Sequence, residues 1–204
     1  MIKHVWFDFS ETICKLNKEN NHALRYSAYA EATKRAVTPE LIDEYKQLYE
    51  KYAHSNGAIF ASLGLPANYW SNKINSVNPK NLFDLMDANI PTILEQLHNS
   101  VSMSFFSNIK LDKILPAFNI RGEWFEHFIS SDMLQKPKPA LEGFYKIIEL
   151  THLPADNILY IGDHVEKDIL PAKQVGLKAG LVWSSSPEAD YNFEKFEDIL
   201  KIFA

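Results

Sequence analysis

Cysteine is nearly absent from this chain: Cys14 is the only one among 204 residues. That excludes an internal disulfide and any zinc site built on thiolates. Cys14 directly follows the first apolar run, so it reads as a buried, inert thiol. Long hydrophobic runs are missing as well. No stretch reaches the ~20 apolar residues that span a bilayer, and residues 1–9 are too short, and too soon interrupted by Asp8, for a signal peptide. A cytoplasmic protein without a membrane partner is the expectation. Excess positive charge is the third absence. The 21 Lys and Arg stand against 26 Asp and Glu, a net charge of −5, so no broad basic surface offers itself to nucleic acid. The 13% aromatic residues fall in apolar-periodic runs without interleaved arginine, which is a packing pattern and not a base-stacking one.

What is present is a 46% hydrophobic chain with enough apolar content for one globular core carrying a modest insertion. Residues 2–9 are β-branched and aromatic and read as a buried strand. From about 20 to 85 the pattern is helix after helix: 21–35, then a helix opened by Pro39 and stopped at Asn56-Gly57, then shorter ones over 59–63 and 68–74. The tyrosines and tryptophans of this block read as core. Beyond it, helices (82–97, 111–117, from Pro139, through Lys173, from Phe193) alternate with strands (101–106, 125–129, 157–161, 179–183). Such alternation predicts βαβ units and a mainly parallel sheet flanked by helices, an α/β, Rossmann-like fold. The helical block interrupts it, so the sequence predicts a core of 1–14 plus 81–204 with an inserted all-helical domain over 15–80.

In open α/β sheets, ligands bind at the carboxyl ends of the strands. The residues expected there are Asp8-Phe9-Ser10-Glu11-Thr12, Ser107-Asn108, Gln135-Lys136-Pro137-Lys138-Pro139, and Gly162-Asp163-His164-Val165-Glu166-Lys167-Asp168. Taken singly, each has a plain structural reading: a helix cap, a solvated lysine, a tight turn. Their order and their common placement at one sheet edge bring together a carboxylate, a hydroxyl, an ammonium group and a pair of carboxylates.

In that order the chain resembles the haloacid dehalogenase superfamily, whose four motifs appear as FDFSET, FFSN, QKPKP and GDHVEKD. The resemblance runs through almost the whole length and implies that residues 15–80 form a helical cap between the first and second motifs. It further implies that Asp8 is a nucleophile forming an aspartyl-phosphate. Ser107 and Asn108 would bind the phosphoryl group, and Lys136 would neutralise charge on it. Mg²⁺ would be held by Asp8, the Ser10 carbonyl and Asp163, with Asp168 in support. The substrate class implied is a small phosphorylated metabolite. The chemistry is coherent, because a carboxylate attacks a dianionic phosphate only when their repulsion is neutralised.

One position departs from the family pattern. Phosphatases of this type carry a second Asp two residues after the nucleophile, as acid and base; here it is Ser10, followed by Glu11 where glycine is usual. Glu11 and His164 are the nearby groups able to carry a proton. The principal expectation is a Mg²⁺-dependent phosphohydrolase favouring easily released leaving groups. The alternatives are a phosphate-binding regulatory module that has lost turnover and, more remotely, a metal-free 2-haloacid dehalogenase, whose halide needs no proton.

Overall fold

The computed structural model describes residues 1–52, 55–66, 68–130, 133–136 and 138–203. The strand β1, His4–Phe7, is buried along its whole length. It pairs in parallel with β4, Ser102–Phe106, on one side and β6, Ile158–Gly162, on the other, with Val5 opposite Met103 and Leu159. A strand covered on both faces has no polar side to show, which is why Val5–Phe7 and Ile158–Gly162 read as continuous apolar runs. In β4 the runs are broken by Ser102 and Ser104, and the buried Ser104 hydroxyl is satisfied by the His4 ring at 2.9 Å. Outside β4 lies β5, His127–Ile129. Beyond β6 lie β7, Lys178–Val182, and β8, Tyr191–Phe193. The six strands run in the order β5-β4-β1-β6-β7-β8, all neighbours parallel. The chain therefore grows outward from β1 through β4 to β5, then reverses to β6 on the far side of β1. That reversal opens a crevice at the carboxyl ends of β1, β4 and β6.

The chain divides into two compact units, Met1–Lys15 with Asp84–Ala204, and Leu16–Phe83. In the first, one core cluster joins Trp6, Phe106, Phe144, Ile147 and Tyr160 between the sheet and the helix α7, Glu142–Thr151. Gly143 is required for that contact: a Cβ there would sit 2.1 Å from the Phe106 ring.

The second unit is helical. Asn17 and Thr38 cap α1, Lys18–Thr33, and α2, Pro39–Lys51, each by accepting a backbone N–H three residues on. Three shorter helices follow: α3, Asn56–Ser62; α4, Tyr69–Asn75; and α5, Pro79–Leu82. Tyr29, Leu41, Tyr45, Ile59 and Phe60 form its core.

Several elements differ from expectation. Asn56-Gly57 does not end a helix; Ser55 caps a new one there by accepting from the Ala58 amide. The expected helix over 82–97 is a strand, β3 (Phe83–Leu85), paired with β2 (Cys14–Leu16), followed by α6, Ile90–His98, with Pro91 in its first turn. Of the helix expected over 111–117, a 3₁₀ turn over Leu115–Phe118 forms. Phe193 ends a strand instead of opening a helix, and a 3₁₀ segment begins at Phe196.

Candidate active site

Asp8 leaves β1 at its carboxyl end, its amide donating to the Ile161 carbonyl at 2.8 Å, so the ladder with β6 carries the residue into the crevice. Only 5% of it is exposed. Ser107 leaves β4 in the same way, tied to the Ile129 carbonyl at 2.9 Å, and its Oγ accepts from the Ile109 amide at 3.3 Å. Asn108 follows on the surface. Gly162 ends β6, and Asp163 comes next. The chain then enters a π-helical turn, Val165–Ile169, which carries Asp168 back over the strand end. Gly162 has to be glycine for this, since a Cβ would meet the Asp168 side chain at 2.5 Å. The result is three carboxylates, Asp8, Asp163 and Asp168, each offering one oxygen within 4.8 Å of those of the other two.

The cation among them is Lys138. Its Nζ donates to Asp8 Oδ1 at 2.7 Å, to Asp168 Oδ1 at 2.7 Å and to the Tyr160 hydroxyl at 2.8 Å, which uses all three of its hydrogens. This corrects the sequence expectation. Lys136, selected there, is exposed, and its amide donates to the Glu142 carboxylate at 3.1 Å, beside the start of α7. The two lysines stand two residues apart in the same Lys-Pro repeat, and composition offers no way to choose between them. Of the two, it is the ammonium group of Lys138 that reaches Asp8 and Asp168. Pro137, between them, lies outside the described residues.

Thr12 was not singled out from sequence either. It is fully buried, and its Oγ1 lies 3.5 Å from both Asp8 Oδ2 and Asp163 Oδ1. Its carbonyl accepts from the indole N–H of Trp183 at 3.1 Å, which pins the loop after β1 to the end of β7. The signal was available, since Thr12 stands four residues after Asp8 in the same motif. Tyr160 gave none, because a buried strand tyrosine looks like any other core aromatic.

Ser10 is exposed and forms a bridge with Cys14. Glu11, next to it, takes up φ 58°, the left-handed region where a side chain costs roughly 1 kcal/mol. Its amide closes the turn by donating to the Cys14 carbonyl at 2.8 Å. His164 sits on the rim, its Nδ1 3.0 Å from the Glu166 carboxylate. Asp168 has both oxygens occupied: Oδ1 by Lys138 and by Tyr160 at 3.1 Å, Oδ2 by the His164 amide at 3.2 Å.

The electrostatics follow from three acids sharing one base. Burial pushes the Asp8 carboxyl up to about 7, with Lys138 opposing and Asp168 adding to the rise. Burial, then the charge of Asp168, pushes Asp163 up to about 6. Burial works against the Lys138 charge as well, but Asp8 and Asp168 outweigh it and hold its pKa above the ordinary value. The cluster is short of positive charge, and its donors are all oxygen. Both features fit a divalent hard cation such as Mg²⁺.

The family model for haloacid dehalogenase-like hydrolases matches residues 5–182. A glyceraldehyde 3-phosphate phosphatase from Methanocaldococcus jannaschii is 39% identical over 54 residues, 26% of this chain and 24% of that protein. The matched stretch thus spans about a quarter of that relative. Among solved structures, a HAD phosphatase from Thermococcus onnurineus superposes with a TM-score of 0.75 at 19% identity, covering 98% of this chain and 97% of that one. A 2-haloacid dehalogenase from Pseudomonas syringae superposes with a TM-score of 0.71 at 16% identity, covering 99% and 98%. At these identities the likeness is one of fold, and the fold hosts both chemistries.

Proposed function

The chain belongs to the haloacid dehalogenase-like hydrolase family, and from that premise we propose that it is a Mg²⁺-dependent phosphatase acting on a small phosphorylated metabolite. The observation that carries the reading is Lys138 bound to both Asp8 and Asp168 inside a three-carboxylate cluster. A dehalogenase attacking a neutral carbon has no use for so many acids around one nucleophile, whereas phosphoryl transfer calls for a cation beside it.

In this reading a carboxylate oxygen of Asp8 forms a bond to phosphorus as the bond to the leaving oxygen breaks. Water then attacks the aspartyl-phosphate, releasing inorganic phosphate and restoring Asp8. Lys138 holds Asp8 charged and aimed, and Ser107 and Asn108 contact the phosphoryl oxygens. Mg²⁺, held by Asp8, Asp163 and the Ser10 carbonyl with Asp168 in support, would supply positive charge between two anionic reactants. Tyr160 and the His164 amide keep Asp168 oriented.

Proton transfer is the weak half. A placed acid or base is worth about 10²- to 10⁴-fold, and the Ser10 hydroxyl cannot act as one near neutral pH. Aryl and acyl phosphates, whose leaving groups depart with little protonation, are therefore the expected good substrates, and sugar phosphates the poor ones. The test is hydrolysis of an aryl phosphate with Mg²⁺, using Asp8→Asn as the blank. Ser10 also favours a second reading, a phosphate-binding module without turnover, and wild-type rates equal to the blank would select it.

A further inference from the structure

Away from the carboxylate cluster, the helical unit Leu16–Phe83 contains an arginine that packing alone does not account for. Arg25, on α1, is only 7% exposed. Its guanidinium carbon lies 4.7 Å from the Tyr49 ring centre, 5.4 Å from that of Tyr26 and 5.8 Å from that of Tyr45. Its Nε is buried and has no hydrogen-bond partner. Among the described residues no carboxylate lies within ion-pair distance of it.

Aromatic faces attract a guanidinium from above and below the plane. They leave the in-plane N–H groups unused, and a buried donor without an acceptor is costly. Arg25 borders a cavity of about 300 Å³, lined by the three tyrosines together with His22, Lys46 and Glu50. Three cations bear on the pocket: besides burial, Arg25, Lys18 and Lys46 all hold the His22 pKa below its ordinary value, with Lys46 also paired to Asp43 at 3.0 Å. Glu50 is the one carboxylate among the described residues of the lining.

We propose that this pocket is a binding site for a small organic anion bearing a carboxylate or phosphate group, taken side-on by Arg25 between the rings of Tyr26, Tyr45 and Tyr49. The Nε–H and a neighbouring Nη–H of a guanidinium form two parallel donors that match two oxygens of such a group. The tyrosine rings wall the remainder of the ligand, and Lys46 adds charge at the rim. The site lies wholly within the helical unit, so it goes beyond the phosphatase reading and stands whether or not Asp8 turns over.

The test uses the full chain as Asp8→Asn in EDTA, which removes phosphoryl transfer and metal together. The ¹H–¹⁵N resonance of Arg25 Nε, assigned by its loss in Arg25→Lys, is followed during titration with inorganic phosphate, with malonate and with sodium chloride at matched ionic strength. A saturable shift with phosphate or malonate that chloride does not reproduce is the expected result. Response to phosphate alone identifies a phosphate ligand, and response to malonate alone a carboxylate. Arg25→Lys, which keeps the charge but loses the fork, is expected to weaken binding about tenfold, read on the Tyr26 and Tyr49 ring signals. Should that variant not fold, Lys46→Gln at the rim is expected to weaken binding about threefold. A resonance unmoved by both anions, or moved equally by chloride, overturns the proposal. Phosphate binding beside Asp8 would instead shift the Ser107 and Asp163 amides, so failure of the two readings is distinguishable.

Discussion

Lys138 Nζ lies 2.7 Å from Asp8 Oδ1, in a pair that is nearly inaccessible to solvent on both sides. The same ammonium group bridges to Asp168, so removing it would strand two buried carboxylates and, under the phosphatase reading proposed above, raise their repulsion toward an incoming phosphate. Loss of one such transition-state cation typically costs about 10²- to 10³-fold in kcat. Lys138→Met is therefore expected to lower aryl-phosphate turnover by at least about 10²-fold. Lys136→Met, at an exposed position tied down through its backbone, is expected to stay within about twofold. Steady-state kinetics on the two variants side by side settles which lysine acts; equal losses would return Lys136 to the site.

Ser10 yields the second prediction. Its position follows Asp8 by two residues and is exposed at the turn, so a carboxylate can be placed there without burying new charge. Ser10→Asp is expected to raise the rate on a sugar phosphate by about 10²-fold, the lower end of general acid–base catalysis, and to change the aryl-phosphate rate much less. A selective gain on the poor leaving group is the signature to look for. A uniform change on both substrates would mean that proton transfer is not what limits the wild type.

The raised carboxyls of Asp8 and Asp163 predict a response to metal that needs no substrate. A cation binding the folded cluster stabilises it by about 1.4 kcal/mol when tenfold above Kd, or about 3–6 °C in a chain of this size. Thermal melts with and without Mg²⁺ should show that rise, and Asp163→Asn should abolish it. In EDTA the same variant should melt no lower than wild type, because it removes one of three crowded acids. A metal-induced rise that survives Asp163→Asn would place the cation elsewhere.

The fold could be read because β1, β4, β6 and β7 are covered on both faces over most of their length, and such coverage writes short apolar runs into the sequence: Val5–Phe7, Phe105–Phe106, Ile158–Gly162 and Ala179–Val182. Where the structure uses three-residue strands, such as β3 and β8, there is no period to detect. Leu82 and Phe83 instead merge into the helical pattern of α6. The polar residues that end β1, β4 and β6 stood out for the same reason as the strands: Asp8, Ser107 and Asp163 each break an apolar run. Lys138 and Tyr160 did not stand out. One has an equivalent neighbour in Lys136, and the other is a core aromatic whose hydroxyl matters only once Asp168 is folded over it.

His4 provides the final prediction, at the opposite end of β1 from Asp8. It is 2% exposed, its Nε2 lies 2.9 Å from Ser104 Oγ, and its ring stacks on Trp6 and His127. Burial pushes its pKa from 6.5 down to about 4, with Glu126 opposing and His127 adding to the fall. The unfolded chain therefore takes up a proton between about pH 6.5 and 4 that the folded chain refuses, so stability is complete above pH 6.5 and is lost as pH falls through that window. The loss relative to pH above 6.5 amounts to about 2 kcal/mol at pH 5 and about 3 kcal/mol at pH 4. His4→Gln can keep a hydrogen bond to Ser104 without titrating. In urea melts at pH 7, 5 and 4 the stability difference between wild type and variant should shift in the variant's favour by these amounts, relative to its value at pH 7. Asp8 and Asp163, whose raised values act in the opposite direction, are common to both proteins and cancel in the difference. A difference that stays flat from pH 7 to 4 would show that His4 accepts its proton in the folded state as readily as in the unfolded one.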